Sequence, residues 1–317
     1  MKFAVDPWDP SYGTSLDSEL GESAAEVVLD VERPMAEWAP VDPDPAAVPP
    51  AAVLFVDGVR RVDAQVWVDE PSPSGEASPA LCASYAAGVV RCSDGGAYLV
   101  AAEVRRGLFT TAHGATDVPT PAGVYRATRT AALPDVAPGQ VLSLAVQREL
   151  GDTELAAAAA ARSGHGDTDD LLVVDALRGR QHLPRTIGFV KTHRSQYLPP
   201  QLGAVVAQLR SGQRTPVFRL GSSWQRHTWY LRLPCRPGAP WAGIVRVECS
   251  AELTAADAVA LAARSQATLG RFASTEYKDS RAPQNLYPIA GLERELRRRL
   301  GEPNLLYRAL RRAAVAA

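Results

Sequence analysis

Two aspartates each follow an apolar run that is typical of a central strand. Asp57 ends the run in VLFVDG, and Asp175 ends the run in LLVVD. Carboxylates at the ends of adjacent strands could bracket one divalent cation or a pair, because carboxylate oxygens are hard ligands that Mg²⁺ and Mn²⁺ prefer. Such a metal polarises a phosphate and activates a water molecule. The alternative is turn chemistry, since Asp-Gly favours a hairpin and aspartate is common at strand ends.

The order of the predicted elements places both aspartates in one α/β sheet. Residues 51–69 form a long strand or a tight hairpin, and residues 80–92 and 97–111 form two more strands around an SDGG turn. A helix is predicted over 139–163, before the LLVVD strand, whose continuous apolar run indicates burial on both faces. Further strands are predicted in RTIGFVKTH, TPVFRLG, HTWYLRL and GIVRVECS, and further helices in QLGAVVAQLRSGQ and AELTAADAVALAARSQATLGRF, the latter with Thr254 as N-cap.

The two ends of the chain differ in composition from the middle. Residues 1–50 are rich in Asp, Glu and Pro, and predict an acidic arm with a stiff linker, PVDPDPAAVPP. Within this arm, SAAEVVLDVERPMAEW could form a short helix that ends at Pro34. Residues 291–314 predict basic amphipathic helices. We therefore expect an N-terminal arm over 1–50 and one folded domain over 51–317.

Composition and charge exclude several classes of protein. The 317 residues are 46% apolar and 22% charged, as in an ordinary globular protein, and the formal net charge of -1 does not mark a nucleic-acid binder. The four cysteines lack the CxxC spacing of a zinc site and are expected to be reduced core residues. No run is long and apolar enough to span a bilayer, and the first residues lack the apolar core of a signal peptide, so a cytoplasmic protein is expected.

Five segments occur in the order seen in the NurA family of nucleases. They are VLFVDGVRR at 53–61, QREL at 147–150, LLVVDALRG at 171–179, IGFVKTHRSQYLP at 187–199 and IVRVE at 244–248. The chain resembles this family over residues 50–300. The resemblance implies an RNase H-like mixed sheet flanked by helices, and a Mn²⁺- or Mg²⁺-dependent DNA nuclease. It also implies a homodimer that processes DNA ends with the hexameric ATP-driven translocase HerA.

The resemblance implies roles for four residues of this chain. Asp57 and Asp175 would be metal ligands, and Glu149 would be the third, from the helix between the two strands. Lys191 would hold the scissile phosphate or stabilise charge on its oxygens. Glu154 is an alternative to Glu149, and either glutamate is also simply a good helix former.

The chain departs from the family pattern in two places. Asp175 lies in VDAL, where the family usually has a glycine after the aspartate. The family commonly closes its site with a histidine after a YP segment on the last helix, whereas YPIAGLERELRRR has none. Glu293, Glu295 or His193 could replace it, although a surface or hydrogen-bonded role is the simpler interpretation of His193. Glu248 could be a ligand, a partner of one, or an edge-strand charge.

Nucleic-acid binding would have to come from local basic groups. The candidates flank the motif strands and are Arg60, Arg61, Arg178, Arg180, Lys191 and Arg194. Alternation along a strand would point Arg60 and Arg61 to opposite faces, so that one of them shares the surroundings of Asp57. The aromatic residues of SSWQRHTWYLRL could stack on an unpaired strand or belong to the core.

Two other functions remain open from the sequence alone. The chain could be a catalytically weak nuclease-like subunit that binds DNA ends or the translocase without cutting. It could also be a non-enzymatic interaction protein whose aspartates are turn residues.

Overall fold

The structure of the 317-residue chain is a computed structural model. It describes residues 16–22, 25–69, 77–165, 169–175, 177–236, 239–275, 277–279 and 281–316. The fold is mixed α/β, with a large mixed sheet flanked by helices. None of the helices in these ranges is both long and apolar enough to cross a membrane.

Thirteen strands and five helices occur in the described residues. The strands are β1 Leu16–Glu22, β2 Glu26–Val28, β3 Ala52–Val68, β4 Ser78–Ser93, β5 Gly96–Thr110, β6 Val118–Thr120, β7 Gly123–Arg129, β8 Asp170–Val174, β9 Thr186–Val190, β10 His193–Gln196, β11 Phe218–Gly221, β12 Gln225–Arg232 and β13 Ile244–Ser250. The helices are α1 Pro138–His165, α2 Pro200–Gln208, α3 Ala255–Leu269, α4 Tyr287–Arg299 and α5 Pro303–Ala316.

The chain divides into two compact units. The first takes in the described residues up to Phe55, Arg91–Ala97 and Asp167–Ala290; the second takes in Val56–Val90, Tyr98–Gly166 and Gly291–Ala317. Strand β3 begins in the first unit and continues through the second.

In the first unit the strand order is β2-β11-β12-β13-β9-β8, followed by the first residues of β3. Strands β8 and β9 are parallel, whereas β13 is antiparallel to both β9 and β12. Strand β8 is buried along its whole length, because apolar side chains on both faces need a packing layer on each side. On one face of β12, Trp229 donates its indole N–H to Ser265 of α3, and on the other Tyr230 packs with Leu202 and Val206 of α2.

In the second unit the order is β3-β4-β5-β7-β6, with α1 on one face of β3 and α4 on the other. A Cβ on Gly58 would lie 2.6 Å from Leu150 Cδ1 of α1, so Gly58 faces that helix. The next residue, Val59, packs with Leu292 and Leu296 of α4. The faces therefore alternate residue by residue, as a strand requires.

Several predictions from the sequence are confirmed by these elements. Strand β3 runs without a break through Asp57 and Gly58, so the long-strand alternative is correct and the hairpin is not. The SDGG turn joins β4 to β5, and α1, α2 and α3 form where helices were predicted. Thr254 caps α3, since its hydroxyl oxygen accepts the N–H of Asp257 at 3.1 Å.

Two predictions about local structure are wrong. Residues 26–28 form strand β2 rather than part of a helix, because the Glu-Val-Val segment pairs antiparallel with the edge strand β11. Asp57 does not end its strand, which continues to Val68, whereas Asp175 does directly follow β8.

The described part of the N-terminal segment packs on the first unit. Glu32 accepts two hydrogen bonds from the guanidinium of Arg214, at 2.7 and 2.9 Å, and a third from the N–H of Val217. Trp38 is buried in the cluster that includes Phe218 and Tyr230. The hydrogen bonds of Glu32 and the apolar packing of Trp38 thus hold residues 25–41 on the sheet.

Gly58 is predicted to be required for the approach of α1 to β3. In Gly58→Ala the new methyl group would lie 2.5 Å from Glu154 Oε1 and 2.6 Å from Leu150 Cδ1, so these side chains, or the helix that carries them, must move. We expect a loss of about 1–3 kcal/mol in the free energy of unfolding, measured by urea denaturation. Gly291→Ala is the control, because a Cβ there meets nothing within 4 Å and should stabilise α4 by about 0.5–1 kcal/mol. Equal stabilities of the two variants would contradict this account of Gly58.

Candidate active site

Asp57 is a buried carboxylate in the interior of β3. Its residue is 7% exposed. By alternation it lies on the same face as Val59, which packs on α4, and as Asp63. A buried carboxylate is costly unless cations or hydrogen-bond donors compensate it. A position of this kind suits a metal ligand, and turn chemistry does not explain it.

Asp175 and Lys191 are brought together in the first unit. Lys191 Nζ lies 3.9 Å from Asp175 Oδ1; the lysine side chain is 17% exposed and the aspartate 55%. Asp175 is in the bend after β8, and Lys191 directly follows β9, the parallel neighbour of β8. Parallel strands end at the same edge of a sheet, which is why two residues sixteen positions apart meet there.

Glu149 lies on the opposite face of the second unit from Asp57. Asp63 shares the face of Asp57, and its Oδ2 accepts a hydrogen bond of 2.5 Å from Ser84 of β4. The following residue of β4, Tyr85, therefore points the other way, and it lies with Glu149 in one cavity. The structure thus does not bring Glu149 to Asp57, as the predicted ligand set requires.

The cavity around Glu149 has a polar lining of its own. It measures about 550 Å³ and is also lined by Arg105, Arg106 and Arg126. Burial first, and then the neighbouring carboxylate of Glu149, raise the pKa of Tyr85 to about 12. Glu149 thus lies close to Tyr85 and shares the cavity with the arginines of β5 and β7.

Glu154, the alternative helix carboxylate, lies directly over β3. Its Oε1 is 2.5 Å from the position that a Cβ on Gly58 would take, so the carboxylate occupies space that the glycine leaves open. Gly58 is the immediate neighbour of Asp57 in the strand. Of the two glutamates, Glu154 is therefore the one that α1 brings against β3 next to Asp57 in the strand, on the face opposite to the Asp57 side chain.

The donor chemistry suits a hard cation only in part. Carboxylate oxygens are the ligands that Mg²⁺ and Mn²⁺ prefer, and Asp57, Asp175 and Glu154 supply them. Within the described ranges, however, no group of three or more His, Cys, Asp or Glu side chains is placed to hold a metal ion. The three predicted ligands, Asp57, Glu149 and Asp175, are not assembled as one group.

His193 is a core residue rather than a replacement for the missing histidine. It is 5% exposed and packs against Tyr230 and Trp241, with ring centroids 5.7 and 5.1 Å away. Its Nε2 lies 3.0 Å from the carbonyl oxygen of Ile244, so this nitrogen must carry the proton and donate. Burial lowers the pKa of His193 to about 4 despite that hydrogen bond.

The two glutamates of α4 have different surroundings. Glu295 accepts hydrogen bonds from Arg298 and Arg299 on the helix surface, and these bonds lower the pKa of its carboxyl. Glu293 is half-buried on the helix that packs against the Asp57 face of β3. Of the three candidates for the closing group, Glu293 lies on the element best placed for it.

The predicted DNA-binding residues separate into exposed groups and groups held within the structure. Arg60 is exposed and donates to Ser143 of α1, whereas Arg61 donates to Asp63 and to the carbonyl of Gly301, so the two point to opposite faces as expected. Arg178 is exposed and Arg180 is 7% exposed. The side chain of Arg194 lies outside the described residues.

Glu248 is not an edge-strand charge. It is 4% exposed on β13, an interior strand, and accepts hydrogen bonds from Arg226 and Arg246. In SSWQRHTWYLRL, Trp229 and Tyr230 are core residues, while Trp224 is half-buried and lies over Arg226. Sequence alternation gave the core assignment but carried no signal for the arginine pair.

Comparison with known proteins gives similarity to solved structures. No family model matches the chain, and no curated protein matches it. The crystal structure of the NurA nuclease from Sulfolobus solfataricus aligns with 83% of this chain and 84% of that chain, at a TM-score of 0.42 and 9% sequence identity.

His193 is predicted to make stability depend on pH between about 6.5 and about 4. Its pKa is about 4 in the folded protein and 6.5 as the ordinary value, so the unfolded chain binds the extra proton first as pH falls. The free energy of unfolding should drop through this window by up to ~3 kcal/mol. His193→Gln keeps a donor for the Ile244 carbonyl and should flatten this part of the curve. An unchanged slope in the variant would assign the pH dependence to other groups.

Proposed function

We propose that the protein is a metal-dependent nuclease that hydrolyses phosphodiester bonds in DNA. The observation that carries the proposal is Asp57, a carboxylate that is 7% exposed within an unbroken strand. Because β3 has no turn at this point, turn chemistry does not account for the carboxylate, and its oxygens are of the kind that a divalent cation prefers. The ordered segments that resemble NurA nucleases support the same conclusion.

Asp57 and Asp175 are the residues that we propose as ligands of Mn²⁺ or Mg²⁺. When bound, such a metal lowers the pKa of a coordinated water and offsets negative charge on the phosphate. Lys191, beside Asp175, would hold a phosphate oxygen through its ammonium group. The lysine side chain is only 17% exposed, which limits the positions that its ammonium group can reach.

For the helix carboxylate, we propose Glu154 in place of Glu149. Glu154 lies against β3 at Gly58, whereas Glu149 faces Tyr85 in a separate cavity. Both glutamates lie on the α1 face of β3, opposite to the side chain of Asp57, and Glu154 is the nearer of the two to Asp57 along the strand.

The proposed partners are DNA, a HerA-like translocase and a second copy of the chain, in the cytoplasm. These rest on the sequence resemblance. The basic residues of α4 support a contact with an acidic partner, since four exposed arginines lie within two turns of this helix: Arg294, Arg297, Arg298 and Arg299.

One observation favours the weaker alternative, a subunit that binds DNA ends or the translocase without cutting. Of the three candidates for the group that closes the family site, His193 is buried in the core and Glu295 is held by two arginines, which leaves Glu293, a carboxylate in place of the family's histidine. A missing proton-transfer group would lower the rate and leave DNA binding intact.

The first test is cleavage of end-labelled single- and double-stranded DNA in Mn²⁺, Mg²⁺ or EDTA, with and without a HerA-like translocase. We expect cutting that needs metal and that falls at least about 100-fold in Asp57→Asn, because the lost charge weakens the metal site. Asp57→Asn keeps the size of the side chain, and thermal unfolding checks that the variant is folded.

Asp63→Asn is the matched control for Asp57→Asn. Asp63 lies on the same face of the same strand, but it accepts hydrogen bonds from Arg61, Ser84 and Tyr125, so its loss should lower stability and leave the rate of the folded fraction unchanged. Equal cutting by Asp57→Asn and the parent would reject the site. No cutting under any condition would favour the binding subunit.

The two glutamates of α1 give a separate prediction. Glu154→Gln should lower the metal-dependent cutting rate by about 10-fold or more, whereas Glu149→Gln should leave it within about twofold. Single-turnover rates at saturating Mn²⁺ compare the two directly. The reverse order of effects would restore Glu149 as the helix ligand and remove Glu154.

A further inference from the structure

The cavity around Glu149 lies apart from Asp57 in the second unit. It measures about 550 Å³ and is lined by residues of β4, β5 and β7 together with Glu149 of α1. Tyr85 marks the face of the sheet on which the cavity lies, and this face is opposite to the Asp57 side chain. A ligand held in the cavity would therefore not touch Asp57.

Strand register places two arginines on the same face as Tyr85. The rings of Tyr85 and Phe109 pack together, with centroids 6.1 Å apart, so both side chains lie on this face. Phe109 of β5 is level with Thr128 of β7. By alternation, Arg105, four positions before Phe109, and Arg126, two positions before Thr128, share the face, and both line the cavity.

Two polar groups at the Tyr85 end of the cavity are without partners. Tyr85 is 4% exposed, yet no hydrogen bond of its hydroxyl occurs among the described residues. The carboxylate of Glu149 is half-buried and makes no hydrogen bond or ion pair within the ranges that the structure describes. Burial of a polar group without a partner is costly, so a ligand that donates to both oxygens would offset the cost.

The charges around this end favour a cation. The described charged groups that act electrostatically on Tyr85 are three carboxylates and one guanidinium: Glu149, Glu103, Asp152 and Arg105. Arg105 donates its Nε to Glu103 at 2.7 Å, which leaves Glu149 and Asp152 without a counter-charge within this group. An ammonium or guanidinium group beside Tyr85 would therefore be attracted.

The Arg126 end of the cavity can take an anion. Arg126 Nη1 donates to Asp117 Oδ2 at 2.7 Å, while the N–H of Ala127 donates to Asp117 Oδ1 at 2.8 Å. The guanidinium thus uses one of its five N–H donors and keeps the others for a ligand. Its side chain is 76% exposed, and an ion pair so exposed is weak enough for the arginine to turn towards a carboxylate in the cavity.

The two ends lie about 10 Å apart across the sheet. Tyr85 is on β4 and Arg126 is on β7, and β5 lies between these strands, so two strand spacings separate them. Val124 of β7, which is 40% exposed, lines the cavity on the same face. The methylene stem of a long side chain can lie on an apolar surface of this kind while its charged end binds elsewhere.

We propose that this cavity binds a basic amino acid such as free arginine. The cationic end of its side chain binds Glu149 and Tyr85, and its carboxylate binds Arg126. An amino acid with a neutral side chain would leave Glu149 unpaired, because its own two charges are attached to one carbon atom and cannot reach both ends. A mononucleotide fits less well, because its phosphate would add negative charge near Glu149 and Asp152. Binding of this ligand does not depend on the proposed nuclease function.

Isothermal titration calorimetry of the full chain with three ligands tests the two ends separately. L-Citrulline has the length of L-arginine but a neutral side-chain end, and agmatine is arginine without its carboxylate. We expect each analogue to bind about 10- to 100-fold more weakly than arginine, the range for loss of a hydrogen bond to a charged group.

Two variants assign these losses to residues. Glu149→Gln keeps the size of the side chain and should weaken arginine about 10-fold or more, while the affinity for citrulline stays the same. Arg126→Gln should weaken arginine and leave agmatine unchanged. Arg129→Gln is the matched control, since Arg129 is an exposed arginine on the opposite face of β7 that donates to the carbonyl of Ala115.

Tyr85→Phe tests the cationic end without a change of charge. It removes a hydroxyl that forms no hydrogen bond among the described residues, so thermal unfolding should be unchanged. The affinity for arginine should fall about threefold or more, because one acceptor for the cation is lost.

The outcomes decide between a charge-specific site and none. Citrulline that binds as tightly as arginine, or parental affinity in both Glu149→Gln and Tyr85→Phe, would overturn the proposal, and so would the absence of arginine binding at millimolar concentrations. Equal binding of arginine and agmatine would remove the role of Arg126 and with it the amino acid. A loss in Glu149→Gln that is specific to charged ligands supports the site, whether or not the protein cuts DNA.

Discussion

The constraint on which the candidate site depends is the alternation of β3. In an extended strand each residue faces opposite to the next, so Gly58 and Arg60 face α1, while Val59 and Arg61 face α4. A shift of one residue would exchange the two sets and bury an arginine against the apolar residues of α4. The position of Asp57 is fixed by the same rule, independent of what it binds.

Two aspartates on one face of β3 show how differently a strand can use a carboxylate. Asp63 accepts hydrogen bonds from Arg61, Ser84 and Tyr125, so its burial is compensated by three donors of the protein itself. The same network raises the pKa of Tyr125, first through burial and then through the charge of Asp63. The hydrogen bond to Asp63 also fixes the position of Arg61, close to Asp57 in sequence.

Sequence patterns predicted elements well and side-chain neighbours less well. The strands β3, β8 and β13 and the helices α1 and α3 follow from apolar periodicity, turn residues and one cap, all of which act over a few residues. The surroundings of Glu149 depend on which face of β4 lies under α1, and this is decided by the pairing of distant strands. His193 shows the same limit, since its core position follows from the approach of Ile244, Tyr230 and Trp241.

The near-neutral charge of the chain conceals how its charges are distributed. Glu32, Asp170 and Glu248 each pair with arginine in the first unit, so these acidic groups cancel basic ones inside the fold rather than at its surface. The basic groups that remain exposed to a polyanion include Arg60, Arg178 and the arginines on the surface of α4. Attraction of this kind arises from exposed charges within a Debye length of the ligand, and net charge over 317 residues does not measure it. A chain with a formal charge of -1 can therefore still present a basic surface to a nucleic-acid backbone.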